Sequence, residues 1–326
     1  MYTPSPREVA IAFDLGEPAG ELVHFRRGGA DTWRLNTSTG SYFVKGYFPT
    51  IGSQLIDGLA VAMAFERDAR AARIDMPGPV MPIDPLLDWL TRIEDRVFRV
   101  YRWIEHRTYD RDVSVWLGRT MTQVHQLQPI GAVGLPEWWR PAIQSPEIWA
   151  GWFAMARDRD VPWAGLCADC LPHILAATER ITELLDVAPD IVTTHGDFKT
   201  HNIVMSESGP VLVDWDSVRT DSAALEAGRV AYIFGAGDPE QINKILTAYA
   251  EAGGELGWAG PDLFLGVTRN HLQILAEQIR VSLGEATAAS WMGEPATIDA
   301  AIADLLRGVP GKLDQLRQLT SNLDLA

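Results

Sequence analysis

The residues that could do chemistry gather in one short stretch, His195-Gly196-Asp197-Phe198-Lys199-Thr200-His201-Asn202, followed by Val211-Leu212-Val213-Asp214-Trp215-Asp216. An Asp and an Asn lie five residues apart, and an apolar run then ends in a second Asp. These types suit phosphoryl transfer. Asp197 can accept the proton of an attacking hydroxyl, while Asn202 and Asp214 offer a neutral and a charged oxygen to a Mg²⁺ held on ATP. Mg²⁺ takes few protein ligands and fills its octahedron with phosphate and water, so one Asn and one Asp are enough. Each residue also has a plainer reading, as a turn or loop side chain bonding local backbone. The three together favour catalysis. Asp216 reads better as a hydrogen-bonding partner of the loop than as a second ligand. His195, Asp197 and His201 could also ligate a transition metal, but the remaining histidines are scattered and do not complete such a site.

These groups need rigid mounts. Ile191 to Thr194 reads as a strand feeding Asp197, and Ile203 to Met205 with Val211 to Val213 reads as a small β insert carrying Asp214. Upstream, Glu21 to Phe25 is a strand candidate. Thr32 to Asn36 and Ser41 to Lys45 form a hairpin around Thr37-Ser38-Thr39-Gly40. Gln54 to Ile74 is Ala-rich and helical, with Leu55, Leu59, Ala62 and Met63 on one face. A second hairpin, Leu86 to Ile93 and Val97 to Ile104, turns at Glu94-Asp95. Asp112 to Gln126 is helical, and beyond it the chain is mostly helix. Segregated strands and helices predict an α+β fold in two lobes. Residues 1–102 would be a β-rich N-terminal nucleotide-binding lobe with one main helix, and residues 103–326 a larger, mostly helical lobe with the catalytic loop and acceptor site.

Composition narrows the classes further. A net charge of −15 argues against nucleic acid and anionic membrane as partners and is compatible with steering a cationic substrate. The longest apolar stretch, Leu59 to Phe65, is too short to span a bilayer. The N-terminus lacks a signal pattern, which reads as a cytoplasmic protein. Cys167 and Cys170 form a lone CxxC with no second ligand pair for zinc, and read as a plain thiol pair. The only lysines are Lys45, Lys199, Lys244 and Lys312, among 28 Lys and Arg. Of 12 Trp, five (Trp138, Trp139, Trp149, Trp152 and Trp163) fall between the first helix of the helical lobe and the catalytic loop. They could stack on a ligand or fill a core, and no acceptor-site residue follows from them.

The run HGDFKTHN followed by LVDWD resembles the aminoglycoside phosphotransferase and choline kinase superfamily, whose usual pattern is HGDxxxxN followed by IDW[DE]. The resemblance covers about residues 20–235. It implies a protein-kinase-like fold, Asp197 as catalytic base, and Asn202 and Asp214 as Mg²⁺ ligands. Gly28-Gly29-Ala30-Asp31 and Ser41-Tyr42-Phe43-Val44-Lys45 are similar to the family's nucleotide loop and the strand bearing its ATP lysine. Lys45 would place a point charge on the α/β-phosphates. Glu66 resembles the helix glutamate that pairs with that lysine. Val100 to Arg107 is similar to the interlobe hinge, so backbone groups of Arg102 and Ile104 would meet adenine. His106 stands where family members commonly have Gly. Where the family runs on to a Gly and then Asp-Leu-Ala, this chain carries Asp221 and Glu226-Ala227-Gly228. Glu226 could still brace the loop at longer reach.

The expected activity is ATP- and Mg²⁺-dependent phosphorylation of a hydroxyl on a small molecule, an amino sugar or aminoglycoside-like cation being the leading acceptor class. Choline, homoserine or another sugar are alternatives within the same fold. A non-catalytic nucleotide-binding module is the alternative from another class. Its signature would be loss of the base or a metal ligand, and Lys45, Asp197, Asn202 and Asp214 are all present.

Overall fold

A computed structural model describes residues 3–27, 30–48, 53–107, 112–128, 143–188, 190–289 and 292–323. The proposed nucleotide-loop glycines Gly28 and Gly29, and Trp138 and Trp139, lie outside the described residues. The chain divides into two compact units: Met1–Arg111 with Thr200–Val218, and Asp112–Lys199 with Arg219–Ala326. Strands dominate the first and helices the second, an α+β architecture.

In the first unit the order is helix α1 (Pro6–Ala12), strands β1 (Val23–Arg27), β2 (Ala30–Thr37) and β3 (Gly40–Tyr47), helix α2 (Ser53–Ala71), and strands β4 (Leu90–Ile93) and β5 (Arg96–Arg102). The strands form one antiparallel sheet in the order β1-β2-β3-β5-β4. Period-two alternation gives the sheet two different faces. Trp33, Leu35, Val44, Phe98 and Val100 are buried with Val9 and Ala10 of α1 and with Phe13, which follows it. On the other face Tyr47 and Val97 join Leu59 and Met63 of α2, and Lys45 and Arg99 leave the sheet on this side. Helix α1 is a single short element, and the sequence reading missed it. Its start is marked by Pro6 in the first turn after Ser5.

Glycine matters beside Lys45. A Cβ on Gly46 would sit 2.6 Å from a Phe98 ring carbon and 3.0 Å from one of Trp33. Removing it lets those rings close under the strand that carries the lysine. A small hairpin, Ile203–Met205 paired with Pro210–Leu212, completes this unit. It is tied to the rest by Leu212 N–H donating to the Asp75 carbonyl at 2.9 Å, and by Arg107 N–H donating to Met205 at 2.9 Å.

The second unit holds helices α3 (Ser114–His125), α4 (Pro146–Asp158), α5 (Cys167–Val187), α6 (Ala223–Gly235), α7 (Pro239–Glu251), α8 (Leu265–Ser282) and α9 (Pro295–Thr320). Strand Ile191–Thr194 pairs with Arg219–Ser222, a partner strand that hydropathy did not announce. Trp149, Trp152 and Trp163 belong to the core, packed with residues of α4, α5, α8 and α9. Trp152 Nε1 donates to Glu285 at 2.9 Å and Trp163 Nε1 to Asp299 at 3.2 Å, so their polar edges are used inside the fold. Cys167 and Cys170 are free and buried in the same core, and burial pushes the Cys167 thiol up to about 11. A thiol held protonated in this way is a poor redox or metal ligand. No helix among the described residues is long and apolar enough to cross a membrane.

Candidate active site

In the first unit, Lys45, Asn202 and Asp214 line one cavity of about 580 Å³, together with Arg102 and Ile104. That volume is within the range of small-molecule and cofactor sites. Lys45 reaches it from an interior strand, paired across to Thr32 on one side and Arg99 on the other. Asn202 ends a short turn, and its carbonyl accepts the Val213 N–H at 2.9 Å, which keeps Asn202 beside the residue preceding Asp214. Asp214 adopts φ +67°, ψ +60°. A left-handed conformation is uncommon outside glycine, though Asp tolerates it better than most, and such strain recurs at functional sites. Here it turns the chain so that Asp214 and Asp216 both meet Lys45.

Lys45 Nζ lies 2.6 Å from Asp214 Oδ1 and 2.6 Å from Asp216 Oδ2. Burial by itself would lower the ammonium, but the two carboxylates outweigh it and hold Lys45 well above its ordinary value. Asp216 takes two further donors, Tyr47 Oη at 2.5 Å and Arg99 at 2.5 Å. Burial pushes its carboxyl up, yet Lys45 and Arg99 bring it down to about 2. This bears on the hydrogen-bonding role expected for Asp216.

The expected Glu66–Lys45 pair is not formed. Glu66 is fully buried on α2, but its partners are Arg99 and Tyr101. The reason lies in register. Arg99 is the direct cross-strand neighbour of Lys45, and its longer, forked head reaches Glu66 first. Burial raises the Glu66 carboxyl above its ordinary value, with Arg99 opposing. Sequence reasoning missed Arg99. A charged residue inside the apolar run Val97-Phe98-Arg99-Val100-Tyr101 was the available signal.

The hinge segment has usable backbone. Arg102 N–H donates to Gly78 at 3.1 Å and Trp103 N–H to Ser41 at 3.0 Å. Ile104 lies beyond the end of β5, and among the described residues its N–H makes no backbone hydrogen bond. Phe25, Phe43 and Trp103 meet edge-on or tilted at 5.7 to 6.5 Å beside the same cavity, an aromatic wall that the sequence reading did not single out.

Asp197 belongs to the second unit. It follows strand Ile191–Thr194 through Gly196, whose φ of +77° requires glycine. The Asp197 N–H donates to His195 Nδ1 at 3.3 Å, so the fully buried His195 props the turn. Lys199 Nζ lies 2.6 Å from Asp197 Oδ1. Among the described residues no group of three or more His, Cys, Asp or Glu converges as a metal site, and the transition-metal reading of His195, Asp197 and His201 gains no support.

Beneath this turn is a sealed polar cluster. Glu226, 0% exposed, accepts from Thr194 Oγ1, which immediately precedes His195, and meets His125 Nε2 at 3.0 Å and Arg229 at 3.1 Å. Burial pushes the Glu226 carboxyl up, but the His125 hydrogen bond and Arg229 hold it well below the ordinary range. Glu226 therefore braces the strand that delivers Asp197. Asp221 is paired with Arg269.

The sequence profile of the phosphotransferase enzyme family matches residues 23–264. The chain belongs to this family. The match runs past residue 235 and through α7. It is therefore a phosphotransferase enzyme, and its kinase-like fold recurs in solved structures. A microcompartment-associated aminopropanol kinase is 15% identical, with a TM-score of 0.65 over 97% of each chain. A choline/ethanolamine kinase family protein from Mesorhizobium loti is 14% identical, with a TM-score of 0.60 over 96% of this chain and 98% of the other. A spectinomycin phosphotransferase, solved with ADP and spectinomycin, is 14% identical, with a TM-score of 0.59 over 93% and 94%. No curated protein sequence matches the chain.

Proposed function

We propose that this phosphotransferase transfers the γ-phosphoryl group of ATP, with Mg²⁺, to a hydroxyl of a small molecule bearing an amine, an amino sugar or aminoglycoside-like cation being the leading class. The observation that carries the reading is the convergence of Lys45, Asn202 and Asp214 on one cavity, beside the end of β5, in a chain of this family. Asn202 and Asp214 suit Mg²⁺ as a donor set: two oxygens, one charged, with room left for phosphate and water. Bound there, the ion would neutralise charge developing on the phosphates. Lys45 would exchange its carboxylate partners for phosphate oxygens. The Ile104 N–H and the aromatic wall would take the base, by hydrogen bond and by stacking.

Asp197 is the proposed base. Its carboxylate would orient the acceptor hydroxyl and take its proton as the oxygen nears phosphorus, while Lys199 and the bracing from Glu226 hold the side chain in place. The net charge of −15 is compatible with steering a cationic acceptor. So are two solved proteins of similar fold, a spectinomycin phosphotransferase and an aminopropanol kinase. The test is an acceptor panel of aminoglycosides, amino sugars, choline, ethanolamine, aminopropanol and homoserine with Mg-ATP, read by ADP release and mass spectrometry of the product. Phosphorylation of an amine-bearing alcohol is the expected result. Tight Mg-ATP binding with no product from any acceptor would favour a non-catalytic nucleotide-binding module.

A further inference from the structure

In this chain the helix glutamate is held by a second cation, Arg99, while the strand lysine pairs with Asp214 and Asp216. Arg99 and Lys45 are register neighbours on β5 and β3, so both side chains leave the same face of the sheet. The Arg99 side chain is 0% exposed. One Nη donates to Asp216 Oδ1 at 2.5 Å, and the other to Glu66 Oε2 and Tyr101 Oη. One guanidinium thereby joins α2, β5 and the turn after Asp214. An ammonium, without that planar fork, cannot span the same acceptors.

The consequence concerns Lys45. Its Nζ is shared between Asp214 and Asp216, each at 2.6 Å. For Lys45 to move onto nucleotide phosphates, both carboxylates must give it up, and a buried carboxylate left without a cation is costly. Asp216 is not left so, because Arg99 and Tyr47 remain on it. Asp214 faces the cavity with its side chain 44% exposed, where water or a metal can replace the lysine. The lysine is thus the exchangeable cation and the arginine the fixed one.

We infer that Arg99 is a positioning residue of the nucleotide site. It neutralises Asp216 so that Lys45 is released to the phosphates, and it takes over from the lysine the tethering of α2 through Glu66. This rests on the ATP-dependent reading above. Arg99 does not line the cavity, and it acts on the nucleotide only through Lys45 and Asp216.

Removing Arg99 alone leaves the buried Glu66 without a cation and threatens the fold. The test therefore uses Glu66→Leu with Arg99→Met, which removes one charge of each sign and replaces the pair by apolar side chains. ATP and adenosine affinities are measured by calorimetry, alongside KM for ATP, kcat and the thermal midpoint. The expected result is a roughly tenfold loss of ATP affinity, mirrored in KM, with adenosine binding kept within about twofold, because only the phosphates compete for Lys45. ATP affinity within about twofold of wild type would reduce Arg99 to packing and overturn the inference. An equal loss for adenosine and ATP would overturn it too, since the pocket as a whole would then be disturbed. If the double variant does not fold, Arg99→Lys, which keeps the buried charge but not the fork, decides on the same two ligands. A wild-type protein that binds no ATP would sink the functional reading itself.

Discussion

Two of the buried ionic clusters among the described residues are built differently. Around Lys45, two cations and three carboxylates are shared: Lys45 has two acids, Asp216 has three donors, and Asp214 is 44% exposed toward a cavity. Around Glu226, one fully buried acid gathers Thr194, His125 and Arg229, all themselves buried. The first cluster has redundant partners and an open side, so an arriving ligand can take one member without stranding the others. The second centres on a single acid, and each of its members is buried. Low dielectric makes such a closed network strong when complete and costly when broken. The difference separates charges arranged for exchange from charges arranged to hold a loop.

The largest expected effect is chemical. Asp197→Asn lowers turnover about 10³-fold while Mg-ATP affinity stays near wild type, checked by steady-state kinetics and calorimetry. Near-normal turnover in that variant would remove Asp197 as base. Next comes the closed cluster. Glu226→Ala costs about 3–5 kcal/mol in urea unfolding, because His125 and Arg229 lose their shared acceptor. A loss under about 1 kcal/mol would put the cluster on a par with a surface pair and erase the contrast.

For the open cluster the balance reverses. Asp214→Ala leaves stability within about 1 kcal/mol, since Lys45 keeps Asp216, but it removes the Mg²⁺ dependence of nucleotide binding. An unchanged Mg²⁺ titration would end its proposed ligand role. The smallest effect is read by pH. Asp216 in the folded chain is held at about 2, below its ordinary 3.8. Its stabilisation is complete above the ordinary value and is lost as pH falls through the folded one. That window accounts for on the order of 2 kcal/mol, and Asp216→Asn flattens the stability curve across it. A wild-type curve that is already flat there would mean that Lys45 and Arg99 do not hold the carboxylate.

Much of the fold was legible because its signals are local. Alternation marked the hairpin of β2 and β3, and Glu94, at φ +54°, sits in the predicted turn between β4 and β5. Helix α1, only seven residues long, offered too little periodicity to detect. Strand Arg219–Ser222 could not be read because half of its residues are charged and it is stabilised by pairing with Ile191–Thr194, not by its own pattern. The Trp residues between α3 and strand Ile191–Thr194 were ambiguous for a related reason. Helical spacing brings Trp149 and Trp152 to one face, and only the helices packed against that face make it core.

The sequence by itself determined the family, and with it phosphotransfer as the reaction. Asp197, Asn202 and Asp214 lie close together in the chain, and the spacing of a loop and a strand end is written in consecutive residues. What the tertiary structure alone decided is which charge answers which. Arg99 is 33 residues from Glu66 and 117 from Asp216, and the pairing depends on strand register and on the packing of α2 against the sheet. Side-chain electrostatics falls off over a few ångströms in space and takes no account of distance along the chain. The motif therefore named Lys45 and Glu66 as partners, and the fold gave Glu66 to the arginine beside the lysine.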